Sequence, residues 1–236
     1  MVPKILYTHP LNTTQALDIQ NDLSVRVVKH DILPDIKYVA GVDMSIRRTS
    51  KTAIASVVLL HYPNLEIIDI QRASGNLDFP YIPGLLSFRE LPLTLAACEK
   101  LTVSPDLVIV DGQGIAHPRR FGLASHLGVI LDIPTIGCAK SRLCGSHSDP
   151  QNEPGDYSEL VDKDEIIGAV LRTKHGVKPV YVSIGHKICL NTAIYWVMHC
   201  CKGYRLPQPT RLAHLAAGGN LQKSSDTTNI SLKHRV

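Results

Sequence analysis

The 236 residues carry 25 Lys and Arg against 21 Asp and Glu, with 44% hydrophobic and 5% aromatic side chains. That balance excludes a disordered chain and provides for one sizeable core, whereas a net charge of +4 is too mild to identify a polyanionic partner. Six cysteines without a CxxC pair argue against a zinc site or disulfide framework; the absence of a run near the roughly 20 apolar residues of a bilayer span, and of a signal-like apolar core in MVPKILYTHPLNTTQ, predicts a cytoplasmic protein.

Before Tyr38 no motif is legible. Tyr38 to Ser45 (YVAGVDMS), Thr52 to His61 (TAIASVVLLH) and Leu65 to Ala73 (LEIIDIQRA) read as three strands, with Pro63 and Asn64 marking the second turn. Their connections are too short for a crossover helix, so an antiparallel meander is expected. After a loop at Phe79 to Gly84, LLSFRELPLTLAACEKL has apolar residues at helical spacing; Pro92, tolerable only near a first turn, leaves the helix start open. Leu107 to Val110 (LVIV) reads as a buried strand ending at Asp111. A helix around Arg120 to Ile130, a strand at Thr135 to Ala139 and an exposed polar loop from Ser146 to Glu159 follow. Then come a strand at Lys178 to Ile184, a helix at Thr192 to Cys201 and a last helix at Gln208 to Ala217 opened by a proline. A meander followed by alternation predicts an α/β fold with a mixed sheet flanked by helices. One domain is expected over 1–217, with a disordered polar tail over 218–236.

Certain residues stand out chemically. Asp43 interrupts an apolar strand, where a carboxylate is costly unless it is paired, solvated or metal-bound. Asp111 repeats the pattern at the end of LVIV, where ligands gather outside the carboxyl ends of strands. Glu90 either joins these acids or complements the positive start of a helix. If the first and fourth strands are neighbours, Asp43, Glu90 and Asp111 share a hard cation, Mg2+ or in its place Mn2+, the apparatus of nucleases and phosphotransferases. In FPYIPGLLSF, Pro80 and Pro83 stiffen a turn around Tyr81 and Gly84 permits close approach. Tyr81 is then a wedge for a base stack or, alternatively, a surface tyrosine folded back on the protein. In GQGIAHPRR, Gly112 and Gly114 admit a flat ligand, while His117, Arg119 and Arg120 offer phosphate contacts or form a solvated basic loop. Lys140 reaches a phosphate or is merely solvated. His214 and His186 are open between a metal or proton path and a structural role.

The blocks VAGVDMS, PYIPGLLSFRE, PDLVIVDGQGIAHPRRFGLASHLG, DIPTIGCAKSRLCG and KGYRLPQPTR together resemble the endonuclease V family, from about Tyr38 to His214. The resemblance implies a ribonuclease H-like fold, a five-stranded mixed sheet flanked by helices. It implies a DNA repair endonuclease that recognises deaminated bases, chiefly inosine, and uses a metal-activated water on the second phosphodiester bond 3′ to the lesion, leaving 3′-hydroxyl and 5′-phosphate. On this likeness Asp43, Glu90 and Asp111 match the metal-binding acids, for Mg2+ or Mn2+. His214 falls near a metal-proximal polar residue, and Lys140 matches a lysine near the scissile phosphate. Tyr81 matches the wedge; Pro83, Gly84, Leu86, Gly112, Gly114, His117 and Gly137 fall in segments forming the base pocket. The expected partner is DNA carrying inosine or another deaminated base, with RNA also admitted, no membrane, and the protein a monomer. Two alternatives are a ribonuclease H or resolvase-like nuclease, against which the PYIPG loop argues, and a non-catalytic nucleic-acid binder with structural acids.

Overall fold

The computed structural model describes residues 1–4, 12–46, 52–223 and 230–232. Its elements in chain order are α1 (Thr13–Ser24), β1 (Tyr38–Ile46), β2 (Thr52–His61), β3 (Glu66–Asn76), α2 (Leu86–Cys98), β4 (Leu107–Val110), α3 (Leu123–Leu131) and β5 (Thr135–Ala139). They continue with β6 (Tyr157–Asp162), β7 (Glu165–Leu171), β8 (Val180–His186), α4 (Leu190–His199), α5 (Gln208–Ala217), β9 (Leu221–Lys223) and β10 (Ile230–Leu232).

The main sheet runs β3-β2-β1-β4-β5-β8-β7-β6. Strands β1, β2 and β3 form the antiparallel meander that their short connections require. Strands β4 and β5, each preceded by a helix, lie parallel beside β1. These five strands are the ribonuclease H-like sheet; the expected count of five is corrected to eight, because β8, β7 and β6 extend it in antiparallel order. The β6–β7 hairpin turns on Lys163 and Asp164, both with positive φ (54° and 62°). A two-residue hairpin needs that conformation, but Lys-Asp lacks the Asn-Gly chemistry that announces it in a sequence. The polar loop accordingly ends where β6 starts, at Tyr157 rather than Glu159.

Strand β2 is apolar on both faces because both are covered. Val58 and Leu60 join Val39 and Ile109 under α4 and α5, whose Val197, Leu212 and Ala213 share that cluster. Val57 and Leu59 join Val42 and Val110 under α2 and α3, through Leu91, Leu95 and Leu127. Gly41 faces α5, and the helix comes so close that a Cβ there would lie 2.0 Å from the Pro209 carbonyl carbon and oxygen. The Ser56 hydroxyl donates to the Ala213 carbonyl (2.6 Å) across the same contact.

Two helix features depart from expectation. Helix α2 begins at Leu86, so Pro92 is interior, not in the first turn. The proline withholds one backbone donor, and burial of Phe88, Leu91 and Leu95 keeps the helix together. Helix α1 had no legible motif; Asn12 caps it by accepting from the Gln15 N–H (3.0 Å). Of the expected disordered tail, residues 218–223 and 230–232 are described and include the β9–β10 pair, with Leu221 buried, while 224–229 and 233–236 lie outside the described residues. Among the described residues no helix is long and apolar enough to cross a membrane.

Candidate functional site

Pairing between β1 and β4 ends at Val42 and Val110, and the Asp111 N–H donates to the Val42 carbonyl (2.9 Å). The next residue in each segment is a carboxylate, so Asp43, still paired with Ser56 of β2, and Asp111, just past β4, stand side by side where the β1–β4 pairing stops. Asp43 is 9% exposed; its Oδ1 accepts from the Met44 N–H (2.8 Å), and its Oδ2 lies 2.6 Å from His214 Nδ1 on α5. Lys140, just past β5, brings its Nζ into direct contact with Asp111 and within 3.8 Å of Asp43. Its solvated reading is thereby displaced.

Candidate ligand atoms of Asp43, Asp111 and His214 all lie within 4.8 Å of one another. Glu90, expected as the third ligand, stands on α2 in the wall of a cavity that Asp43 and Asp111 also line, and His214 joins the two aspartates within the group. Burial and the charges of Asp43 and Asp111 push Glu90 up to about 7. Burial and Asp43 push Asp111 up to about 6, against the opposing pull of Lys140. Crowded acids that oppose one another's ionisation, offering oxygens and one imidazole, fit a hard divalent cation, which neutralises the repulsion.

A cavity of about 200 Å³ opens beside the acids, lined by Tyr81, Pro83, Gly84, Leu86, Gly112 and His117 together with Asp43, Glu90 and Asp111. It is smaller than the roughly 300 Å³ at which drug-sized pockets begin, a scale that suits one planar base. Tyr81 is 69% exposed at its lip, not folded back on the protein, and Arg89 lies 6.0 Å from its ring centroid. Gly114 and Gly137 are outside the lining. They are sites of close backbone approach: a Cβ on Gly137 would lie 2.4 Å from Gly114 N, and one on Gly114 2.0 Å from the Ile184 carbonyl oxygen.

The roof of the cavity hangs on one carbonyl. Gly84, at φ 80°, accepts from Arg119 Nη2 (2.6 Å), Gln20 Nε2 (3.1 Å) and His117 Nε2 (3.1 Å). His117 Nδ1 accepts from the Arg119 N–H (3.1 Å), so the imidazole is neutral with its proton on Nε2. Both sequence readings of the arginines, phosphate contact and solvated loop, give way here. Arg119 also holds the Gln20 side-chain oxygen, and Arg120 pairs with Glu165 (2.6 Å) and Asp162 (2.9 Å) on the β6–β7 hairpin. His186 lies elsewhere, accepting from the Val28 N–H (3.2 Å) with its Nε2 3.5 Å from Asp132, which is a structural clasp.

Gln20 escaped the sequence reading although it is 0% exposed. Its signal is a polar residue on the buried stripe Ala16, Gln20, Leu23 of α1. Because its amide also donates to the Phe121 carbonyl (2.8 Å), Gln20→Ala strands several buried polar groups. A stability loss of about 2 kcal/mol is expected as a lower urea midpoint; an unchanged midpoint contradicts the anchoring.

Burial and Arg119 depress His117 from 6.5 to about 4. A histidine lowered in the folded state binds protons more readily when unfolded, so its contribution is complete above about 6.5 and is lost as pH falls toward about 4, to roughly 3 kcal/mol. Asp111 and Glu90 titrate in the opposite sense, so the test is a difference: His117→Gln should flatten the acid limb of stability against pH. Parallel limbs for the two proteins count against it.

A family model described as Endonuclease V matches residues 21–215. The Endonuclease V of Dehalococcoides mccartyi is 50% identical over 214 residues, 91% of this chain and 96% of that protein. A crystal structure of the Endonuclease V from Streptomyces avermitilis superposes with a TM-score of 0.86 at 39% identity, over 91% of this chain and 95% of that one. At 28% identity and a TM-score of 0.76, over 87% and 96% of the two chains, the Ciona intestinalis Endonuclease V was solved with a 24mer DNA containing an inosine followed by a ribo-adenosine.

Proposed function

This chain belongs to the endonuclease V family, and on that premise we propose that it is a divalent-metal-dependent endonuclease that recognises deaminated bases, chiefly inosine, in DNA and hydrolyses the second phosphodiester bond 3′ to the lesion. The observation that carries the reading is a single cavity with Asp43, Glu90 and Asp111 on one wall and the exposed Tyr81 loop at its lip. One chamber thus holds both a place for a base and a place for phosphate chemistry.

Tyr81, stiffened by flanking prolines, enters the stack and fills the space left by the extruded nucleotide. The base then lies between Gly84 and Gly112. Hypoxanthine presents a carbonyl where adenine presents an amino group, so donors aimed at that position reward one and oppose the other. The Gly84 carbonyl is fully engaged and the Gly112 N–H donates to Val110 (2.9 Å), so neighbouring amides meet the base edge. Asp43 and Asp111, with Glu90 or His214 completing the set, would hold Mg2+ or Mn2+, which lowers the pKa of water and neutralises phosphate charge when bound. Lys140, whose ammonium touches Asp111, would offer that charge to the phosphate when a cation neutralises the acid.

The deciding experiment is cleavage of an end-labelled duplex with one inosine beside an inosine-free control, in Mg2+ and in chelator, with matched RNA in parallel. A metal-dependent nick at the second bond 3′ to inosine is expected. No cut in DNA or RNA defeats the proposal and leaves a binding protein. Tyr81→Ala should raise KM for the inosine duplex about tenfold or more with little change in kcat, since a stacking contact is worth roughly 1 to 3 kcal/mol; an unaltered KM removes the wedge role.

A further inference from the structure

From Ile166 to Ser225 the chain contains no Asp or Glu, against eight Lys and Arg. Part of this acid-free stretch is fastened beside the carboxylates. Arg205 donates to the carbonyls of Lys140 (2.6 Å), Pro179 (2.9 Å) and Lys178 (2.8 Å), which ties the turn before α5 to the lysine that touches Asp111. On α5, Arg211 precedes His214 by three residues, so the two share a helix face roughly 5–6 Å apart, and His214 lies on Asp43. Two separate connections therefore place residues 204–211 next to the acid cluster.

There Arg211 lies over the ring of Tyr204, its guanidinium carbon 3.7 Å from the centroid, and Tyr204 is 49% exposed. Among the described residues the Arg211 guanidinium makes one polar contact, a long one of 3.5 Å to Gln208 Oε1. The ring holds the fork in place while most of its N–H donors stay available. That combination suits a phosphate on the fork and a base on the aromatic edge.

The base cavity is lined by Asp43, Glu90 and Asp111 but not by Lys140, His214, Tyr204 or Arg211. A strand with its base in the cavity and its phosphate over the acids therefore continues across Lys140 and His214 toward α5. We propose that the Tyr204–Arg211 pair is a sequence-independent subsite that grips the DNA strand on the 3′ side of the scissile phosphate. It rests on the nuclease reading above and adds to it a device that makes affinity depend on the length of DNA beyond the cut.

The test is fluorescence anisotropy in chelator, which prevents cutting, with two single-stranded inosine oligonucleotides sharing a 5′ arm. One carries a long 3′ arm; the other ends two nucleotides past the inosine. Wild type should favour the long arm, and Arg211→Ala or Tyr204→Ala should reduce that preference about tenfold, with Arg211→Lys and Tyr204→Phe restoring much of it. For Arg211→Ala the slope of log affinity against log salt should also fall by about 0.7 to 1 on the long arm. Equal losses on the two oligonucleotides, or a preference that does not move, overturn the subsite. If wild type binds inosine no better than an undamaged strand, the reading of the base cavity fails, while the arm preference still decides the subsite.

Discussion

Asp43→Asn is expected to lower metal-dependent cleavage of an inosine duplex by about a thousandfold or more while the protein remains folded. The amide keeps the size of the side chain and an acceptor for the Met44 N–H, but removes a charge from the group that would hold the cation. Apolar packing in β1 does not depend on that charge, and its loss relieves Glu90 and Asp111, both raised in part by Asp43. A carboxyl raised in the folded state binds its proton more tightly there, so stability falls as pH rises from the ordinary carboxylate range, near 4, through about 6 and 7. Above that window the wild-type acids repel one another and a cation stabilises by offsetting the repulsion. The variant should therefore match or exceed the metal-free wild-type Tm at pH 8 and gain less from added Mg2+, whereas at pH 5.5 the two should converge. Scanning calorimetry with Mg2+ and with chelator at both pH values reads this directly; a variant that unfolds, or cuts at the wild-type rate, rules out the assigned role.

Gly41→Ala should have the largest effect on stability, a loss of about 3 kcal/mol or more in urea unfolding, because its Cβ would meet the Pro209 carbonyl at 2.0 Å and Thr210 N at 2.7 Å. Backbone cannot swing aside as a flexible side chain does. Helix α5 must lift from β1, which breaks the Ser56 bond to Ala213 and withdraws His214 from Asp43, so cleavage should fall with stability. Gly75→Ala is the matched control. Its Cβ would meet only the mobile end of Leu93 at 3.1 Å, and little change is expected. Equal urea midpoints for the two variants would show that the α5 contact yields more easily than its geometry implies.

Much of the frame was legible because its signals are contiguous. Strand-like apolar runs, the second and third separated by Pro63 and Asn64, declare β1, β2 and β3, and the shortness of the links dictates their antiparallel pairing. An apolar LVIV that stops at Asp111, and a carboxylate inside YVAGVDMS, announce the two acids without any knowledge of pairing. Family likeness chose between the alternatives that the neighbours of Tyr81, Lys140 and His214 in sequence leave open.

What tertiary structure alone decided involves partners far apart in the chain. His214 reaches Asp43 across 171 positions, and Gln20 reaches the Phe121 carbonyl across 101. Arg119 and Arg120 read as solvated or phosphate-binding because charge is visible in a sequence, whereas the Gly84 carbonyl and the β6–β7 acids that absorb them are not. Gly114 and Gly137 read as pocket glycines, yet they serve close backbone packing that exists only once β4, β5 and β8 are adjacent. Local sequence determines what each segment prefers to be, because propensity and periodicity act within a few residues; register and helix docking choose which polar groups meet, because burial and hydrogen bonding are settled only when distant segments close on one another.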